Sequence, residues 1–278
     1  MILKPDDRAI AQAAQALRDG QLVGLPTETV YGLAANATDD AAVAKIYAAK
    51  GRPSDHPLIV HVASAAQVPL FAAQVPDFAQ ALIDAFWPGP LTLILPRQPG
   101  VATASAGGQD SIGLRCPSHP VAQELLQACA ALGVHGVSAP SANRFGRVSP
   151  TTAAHVQSEL GQELLILDGG ECPVGIESTI IDCTRGEPVL LRPGHITRLQ
   201  IEAACGHAVL DKDAVAQPAP RASGTLESHY APRAKVRLMA AQDIDAKLQA
   251  LGPHANNLGV WSALQPDAGA GVVWRAQG

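Results

Sequence analysis

The stretch QLVGLPTETVYGLAANATDDAAVAKIYAAKGRPSDHPLIVHV, residues 21–62, sets the reading of the whole chain. Gln21 to Leu25 is a short apolar run stopped by Pro26, the pattern of a buried strand. Thr38-Asp39-Asp40 then supplies an N-cap, and the apolar spacing predicts a helix through Tyr47 to Lys50, closed by Gly51. Pro57 to Val62 is a second apolar strand. Strand, helix and strand within about forty residues argue for an α/β layer fold.

The same alternation extends in both directions. A helix is expected from Asp6 to Arg18, ended by Gly20, and helical patterns cover 64–73 and 76–86 before Trp87-Pro88-Gly89-Pro90 breaks the chain. Strands are expected at 91–95, 111–114, 134–138, 164–167, 178–183 and 188–192, with helices at 118–132 and 151–160. Arg185-Gly186 joins the last two strands as a turn, so the sheet is expected to be partly antiparallel. Ala214 to Ser228, AVAQPAPRASGTLES, has no periodicity and reads as a linker. Beyond it, Lys235–Met239, 241–251, Leu258–Trp261 and Val272–Trp274 suggest a small βαββ segment.

Composition bounds the function. With 278 residues, 47% hydrophobic and 16% charged, the chain has ample material for a core and is not a disordered protein. A net charge of −5 provides no global positive field for nucleic acid or an anionic membrane. No apolar run is long enough to span a bilayer, and MILKPDDRAI carries no signal-peptide pattern. Five cysteines without a CxxC pair read as free thiols, not as a disulfide framework or zinc site. The expected location is the cytoplasm.

Three polar loops stand between apolar elements: Pro26–Leu33, Lys50–Pro53, and Ser138–Asn143 running on to Ser149. Each residue in them has a plain structural reading. Lys50 and Arg52 suit a cationic helix C-terminus, Ser141 and Asn143 suit turns, Ser149 suits an N-cap, and His61 suits a bonded core position. Arg115 and Arg192 differ, since a guanidinium at the end of an apolar strand is costly to bury without an anion. Together the cations and hydroxyls suit a polyanionic small molecule. There is no P-loop, GxGxxG, HExxH or GxSxG pattern. Composition and spacing stop at an anion-binding α/β protein.

The strings PTETVYGL (26–33), KGRP (50–53), PLIVHV (57–62), WPGPLTLIL (87–95), GLRCP (113–117), SAPSANRFGRVSPT (138–151), GIESTIIDC (175–183) and VLLRPG (189–194) resemble the YrdC-like family of L-threonylcarbamoyladenylate synthases. Its K-x-R and S-x-N signature reads here as Lys50-x-Arg52 and Ser141-x-Asn143. SGTLESHYAP (223–232) resembles the linker of the family's long form.

The resemblance implies a twisted mixed sheet with flanking helices and a large open cleft. It also implies a catalytic domain over 1–205, a linker over 206–233 closing on the cleft, and a small or truncated α/β segment over 234–278. The implied reaction joins L-threonine, bicarbonate and ATP into threonylcarbamoyl-AMP and pyrophosphate, with Mg²⁺ accompanying ATP and no protein metal site. A downstream transferase complex then modifies tRNA beside the anticodon.

Carried over residue by residue, Lys50, Arg52, Ser141 and Asn143 are the implied catalytic residues. With Ser149, Arg192 and Tyr230 they are also the implied ATP contacts. Thr29, His61, Arg115, Ser178 and Thr179 are the implied threonine contacts. Replacing Lys50 or Arg52 by Ala is expected to abolish adenylate formation with the fold intact.

Overall fold

Asp6 opens helix α1 (Asp7–Arg18) by accepting the amide hydrogen of Ala9, and the helix buries Ile10, Ala13, Ala14 and Leu17. Helix α2 (Asp40–Lys50) starts in the same way. Asp39 accepts from the amides of Ala41 and Ala42, at 3.0 and 3.1 Å. Gly51 ends α2 at a φ of 63°, a left-handed conformation that glycine adopts without strain. The chain reverses there, with Lys50 on the last turn and Arg52 just past it.

The computed structural model describes residues 1–223, 234–251, 258–263 and 272–276, and the chain divides into two units, Met1–Ala231 and Pro232–Gly278. The first unit is built on an eleven-stranded mixed sheet. Its strands in chain order are β1 (Ile2–Leu3), β2 (Val23–Leu25), β3 (Gly32–Asn36), β4 (Ile59–His61), β5 (Leu91–Pro96) and β6 (Ser111–Arg115). They continue with β7 (Val137–Ser138), β8 (Leu165–Leu167), β9 (Thr179–Asp182), β10 (Val189–Arg192) and β11 (Leu210–Asp211).

Across the sheet the order is β1-β8-β2-β3-β7-β4-β6-β5-β9-β10-β11. β4 and β6 are parallel with His61 opposite Arg115, and β7 pairs antiparallel to β4 with Ser138 opposite Val60. This register sets His61 beside Arg115 at the C-terminal ends of two parallel strands, while the antiparallel β7 leads into the Ser138–Asn143 loop alongside Ile59.

Helices α3 (Val68–Phe71), α4 (Asp77–Phe86), α5 (Pro120–Ala131), α6 (Ala153–Leu160) and α7 (Arg198–Cys205) flank the sheet with α1 and α2. Three apolar clusters lie between them. One holds Phe71, Leu82, Leu91 and Leu93, another Leu17, Leu25 and Leu125, and a third Tyr31, Leu33, Ile46 and Leu58. Each fully buried side chain of this size contributes roughly 1.5–3 kcal/mol. The rigid layer they create is what fixes the loops at the strand ends.

Most expected elements form with ends shifted by up to three residues, and 64–73 forms as a 3-10 turn, Ala65–Gln67, followed by the single turn of α3. β3 lies where a loop was read, because GLAAN has neither alternation nor β-branched residues and becomes a strand through its neighbours β2 and β7. β1, α7 and β11 are also additional to the reading. Part of 206–233 is sheet, with Leu210 opposite Val189 of β10. The stretch 224–233, which holds Tyr230 and most of the linker string, lies outside the described residues.

In the second unit, α8 (Ile244–Leu251) accompanies a parallel pair, β12 (Leu258–Ser262) and β13 (Val272–Ala276). The strand expected at Lys235–Met239 does not form. Val236 and Leu238 are exposed, and among the described residues no strand pairs with them. Among the described residues no helix is long and apolar enough to cross a membrane.

Candidate active site

A small cavity opens where β4, β6 and β10 end. Arg52, His61, Arg115, Ser141, Ser178 and Arg192 all line it, so residues from six separate stretches of chain meet at one place. Thr27, Glu177 and Ser223 line it as well, although the sequence reading assigned none of them.

Arg115 is held from two sides. Its Nη1 donates to the Thr29 hydroxyl at 2.9 Å, and its Nη2 lies 2.6 Å from Oε1 of Glu28. Glu28 is itself buried and accepts the Ser118 amide at 3.2 Å. The ion pair satisfies the charge but leaves the Nε of Arg115 buried without a hydrogen bond. Nδ1 of His61, also buried, has none either. Buried donors and acceptors are ordinarily paired, so two orphans on neighbouring strands mark a place built for a ligand. Burial, with a smaller contribution from the Arg115 charge, pushes His61 down to about 3. It is a neutral imidazole throughout the physiological range.

Arg52 donates from Nη2 to the Pro57 carbonyl at 2.9 Å and to the Ser223 hydroxyl at 3.1 Å. Arg192 donates from Nε to the Ser178 carbonyl, from Nη2 to the Ser178 hydroxyl, and from Nη1 to the Ser223 carbonyl, each at 3.0 Å. Ser223, at the end of the stretch 221–223, thus sits directly on two of the site arginines. Arg221 anchors the stretch through its ion pair with Asp55 at 2.7 Å.

Lys50, Asn143, Thr29, Thr179 and Ser149 are not among the lining residues. Lys50 is buried behind the wall, donating from Nζ to the carbonyls of Ser141 and Asn143, both at 2.5 Å. Burial, and secondarily the Arg52 charge, lower its ammonium to about 7. Asn143 donates to the carbonyls of Arg144 and Arg147, at 2.8 Å each, and its Oδ1 is buried without a hydrogen bond. Thr179 donates to the Ile196 carbonyl at 2.7 Å and is bound up in the sheet. Ser149 donates to Oε1 of Glu177 at 2.5 Å. It caps no helix; Thr152 is the N-cap of α6, accepting from the His155 amide, because Pro150-Thr151 still runs outside the helix. Tyr230 is outside the described residues.

The two acids that the sequence reading left unassigned, Glu28 behind Arg115 and Glu177 in the wall, had weak sequence signals. Glu28 and Glu177 are acids in loops beside motif arginines, a pattern that charge pairing makes legible only once the strands are aligned. Among the described residues no group of three His, Cys, Asp or Glu side chains could hold a metal ion by itself.

Comparison with known proteins follows the same lines. Residues 15–194 match a family model of Sua5, YciO and YrdC proteins described as "Telomere recombination", and residues 196–276 match one described as "Threonylcarbamoyl-AMP synthase, C-terminal domain". The chain is 46% identical to the threonylcarbamoyl-AMP synthase of Pyrococcus abyssi over 230 residues, covering 81% of this chain and 66% of that protein. It is 45% identical to that of Bacillus subtilis over 239 residues, covering 85% of this chain and 68% of that protein. It therefore spans about two thirds of the length of these curated relatives. Among solved structures it is similar to P. abyssi Sua5 complexed with L-threonine. The TM-score is 0.88 at 37% identity, covering all of this chain and 84% of that one.

Proposed function

The chain belongs to the Sua5/YciO/YrdC family, and from that premise we propose that it forms threonylcarbamoyl-AMP and pyrophosphate from L-threonine, bicarbonate and ATP. In this reading it is a nucleotidyltransferase, since AMP passes from ATP to a carbamate oxygen. The observation that carries it is the buried, unpartnered Nε of Arg115 beside the unpartnered Nδ1 of His61. A guanidinium edge and a neutral ring nitrogen at the bottom of a cavity suit the carboxylate and a polar hydrogen of a small amino acid.

Thr29 holds the guanidinium from behind, and Glu28 keeps its charge balanced when no substrate is bound. His61, with so low a pKa, positions the substrate and is too weak a base to deprotonate it. Ser178, just ahead of β9, lines the neighbouring wall, and Thr179 fixes it there through its bond to the Ile196 carbonyl.

The phosphates are assigned to the other side of the cavity. Arg52 and Arg192 offer guanidinium donors there, and Ser141 and Ser178 line the same space. Reaction at the α-phosphate builds charge on the pyrophosphate that leaves, so positioned cations lower the barrier. Lys50 acts on this region through the loop it holds, and an arriving polyanion raises its affinity for a proton. Ser223 occupies donors of Arg52 and Arg192. The nucleotide is proposed to displace that contact, with Tyr230 closing afterwards. Mg²⁺ is proposed to arrive on ATP, held mainly by the phosphates with at most one carboxylate of this chain, and it supplies further charge neutralisation. No step here is derived through it.

The proposal extends to a cytoplasmic location, which five unpaired cysteines suit. It also extends to a downstream transferase complex that uses the product on tRNA. Its test is product identification. Incubation with ATP, Mg²⁺, L-threonine and bicarbonate should give a species with the mass of threonylcarbamoyl-AMP, carrying label from both [¹³C]bicarbonate and threonine. AMP or ADP alone would contradict it.

A further inference from the structure

Glu177 is the one acidic side chain among the described residues lining the cavity, and nothing in the proposed phosphate and carboxylate contacts uses it. Its Oε1 accepts the Ser149 hydroxyl at 2.5 Å. Its Oε2 stands 3.8 Å from Nη1 of Arg192, an ionic contact too long to be a hydrogen bond. One carboxylate oxygen therefore accepts no hydrogen bond and makes only this ionic contact, in a cavity whose other charged wall groups are guanidinium cations.

An amino acid brings a cation as well as an anion. A carboxylate seated on Arg115 leaves the ammonium to be received by the remaining wall, and among these groups only Glu177 is complementary to it. The ammonium must also lose a proton before its nitrogen can form a carbamate. The ionisable groups facing Glu177 or the cavity are Arg52, Arg115 and Arg192, with His61 on β4 and Lys50 behind the Ser141–Asn143 loop. The guanidinium groups offer donors and no acceptor, and Lys50 stands behind the wall with its ammonium committed to two carbonyls. His61 gives up its proton too readily to serve.

We propose that Glu177 is a catalytic residue that pairs with the ammonium of the substrate amino acid and accepts its proton as the carbamate forms. This rests on the function proposed above. One N–H proton passes to the Glu177 carboxylate, and the freed lone pair attacks the bicarbonate carbon. A C–N bond forms and a C–O bond breaks. The departing hydroxide takes a second N–H proton and leaves as water, so the nitrogen ends as a carbamate and Glu177 ends protonated. Ser149 holds the carboxylate in place by donating its hydroxyl hydrogen to Oε1.

The test uses the full chain and two readouts. The first is calorimetric binding of L-threonine against its analogue bearing a hydroxyl in place of the ammonium. The wild type should prefer threonine by at least about tenfold, and Glu177→Gln should lose that preference while binding a non-hydrolysable ATP analogue normally, which also shows that it is folded. The second is the pH profile of threonine-dependent turnover at saturating ATP. Glu177→Gln should lower kcat roughly 100-fold or more and flatten the acid limb.

An unchanged preference for threonine, an acid limb retained in Glu177→Gln, or turnover restored merely by raising Mg²⁺ would overturn the assignment. A wild type with no threonine-dependent turnover would strike the proposed function instead. The binding comparison would still decide whether Glu177 holds the ammonium.

Discussion

The ammonium of Lys50 donates to the main-chain carbonyl of Asn143 at 2.5 Å, joining two motifs that lie 93 residues apart. With the parallel bond to the Ser141 carbonyl, it makes the last turn of α2 the support of the S-x-N loop. Lys50 is thus a strut as well as a charge, and the expectation that its loss spares the fold needs revision. Lys50→Met leaves two inward carbonyls without a donor, at a cost of about 1–3 kcal/mol in stability. Hydrogen exchange should speed up over residues 141–147 in that variant and stay unchanged in α1.

The lowered pKa of Lys50 gives a pH dependence with a definite sign. In the unfolded chain it titrates near 10.5, in the folded protein near 7. Between those values the unfolded state binds more protons, so this group makes stability rise with pH from about 7 to about 10.5. The Lys50→Met variant should lack that rise. A bound triphosphate favours the charged ammonium, so an ATP analogue titrated at pH 8 should take up protons from the buffer. Heats measured in two buffers of different ionisation enthalpy would expose this, and identical heats would contradict it.

His61 works in the acid range. Its folded pKa is about 3 against an ordinary 6.5, so its neutral form stabilises the fold above pH 6.5, and that stability is lost as pH falls towards 3. Thermal melts of His61→Gln between pH 6.5 and 3 should decline less steeply than those of the wild type. At pH 7.5 the variant should raise the KM for threonine roughly tenfold with a smaller effect on kcat.

Glu28 carries a stability prediction. Glu28→Gln strands the buried Arg115 guanidinium without its counter-charge, and such a loss costs about 3–5 kcal/mol. Chemical denaturation of the variant checks this. A change below about 1 kcal/mol would mean that solvent reaches the pair.

Gly194 supports the site through its lack of a side chain. A Cβ there would stand 2.5 Å from the Thr179 nitrogen and 2.6 Å from the Glu177 oxygen, both main-chain atoms that cannot swing away. Gly194→Ala should destabilise by about 1–3 kcal/mol. It should also displace Glu177 and Ser178, weakening ATP-analogue binding in the same measurement.

Much of this was legible in the chain. The cap at Asp39 and the stop at Gly51 fixed α2 and so the place of Lys50 and Arg52. Apolar runs ending in Arg115 and Arg192 pointed to guanidinium groups at strand ends, and both line the cavity. What escaped the reading depends on contacts distant in sequence. GLAAN becomes β3 only because β2 and β7 flank it, and Ser149 looks like a cap until Glu177 is brought to its hydroxyl. Thr179, read as a pocket residue, spends its hydroxyl on Ile196. Glu28 and Glu177 are ordinary loop acids until the register of β4, β6 and β10 sets them against arginines.

The central claim is that one cavity joins an amino acid, bicarbonate and ATP. The most direct measurement is pyrophosphate release from ATP and Mg²⁺, with L-threonine or bicarbonate omitted in turn. Release that needs both together is the predicted result. Release that continues with neither would make this site that of an ordinary nucleotidase and contradict the account.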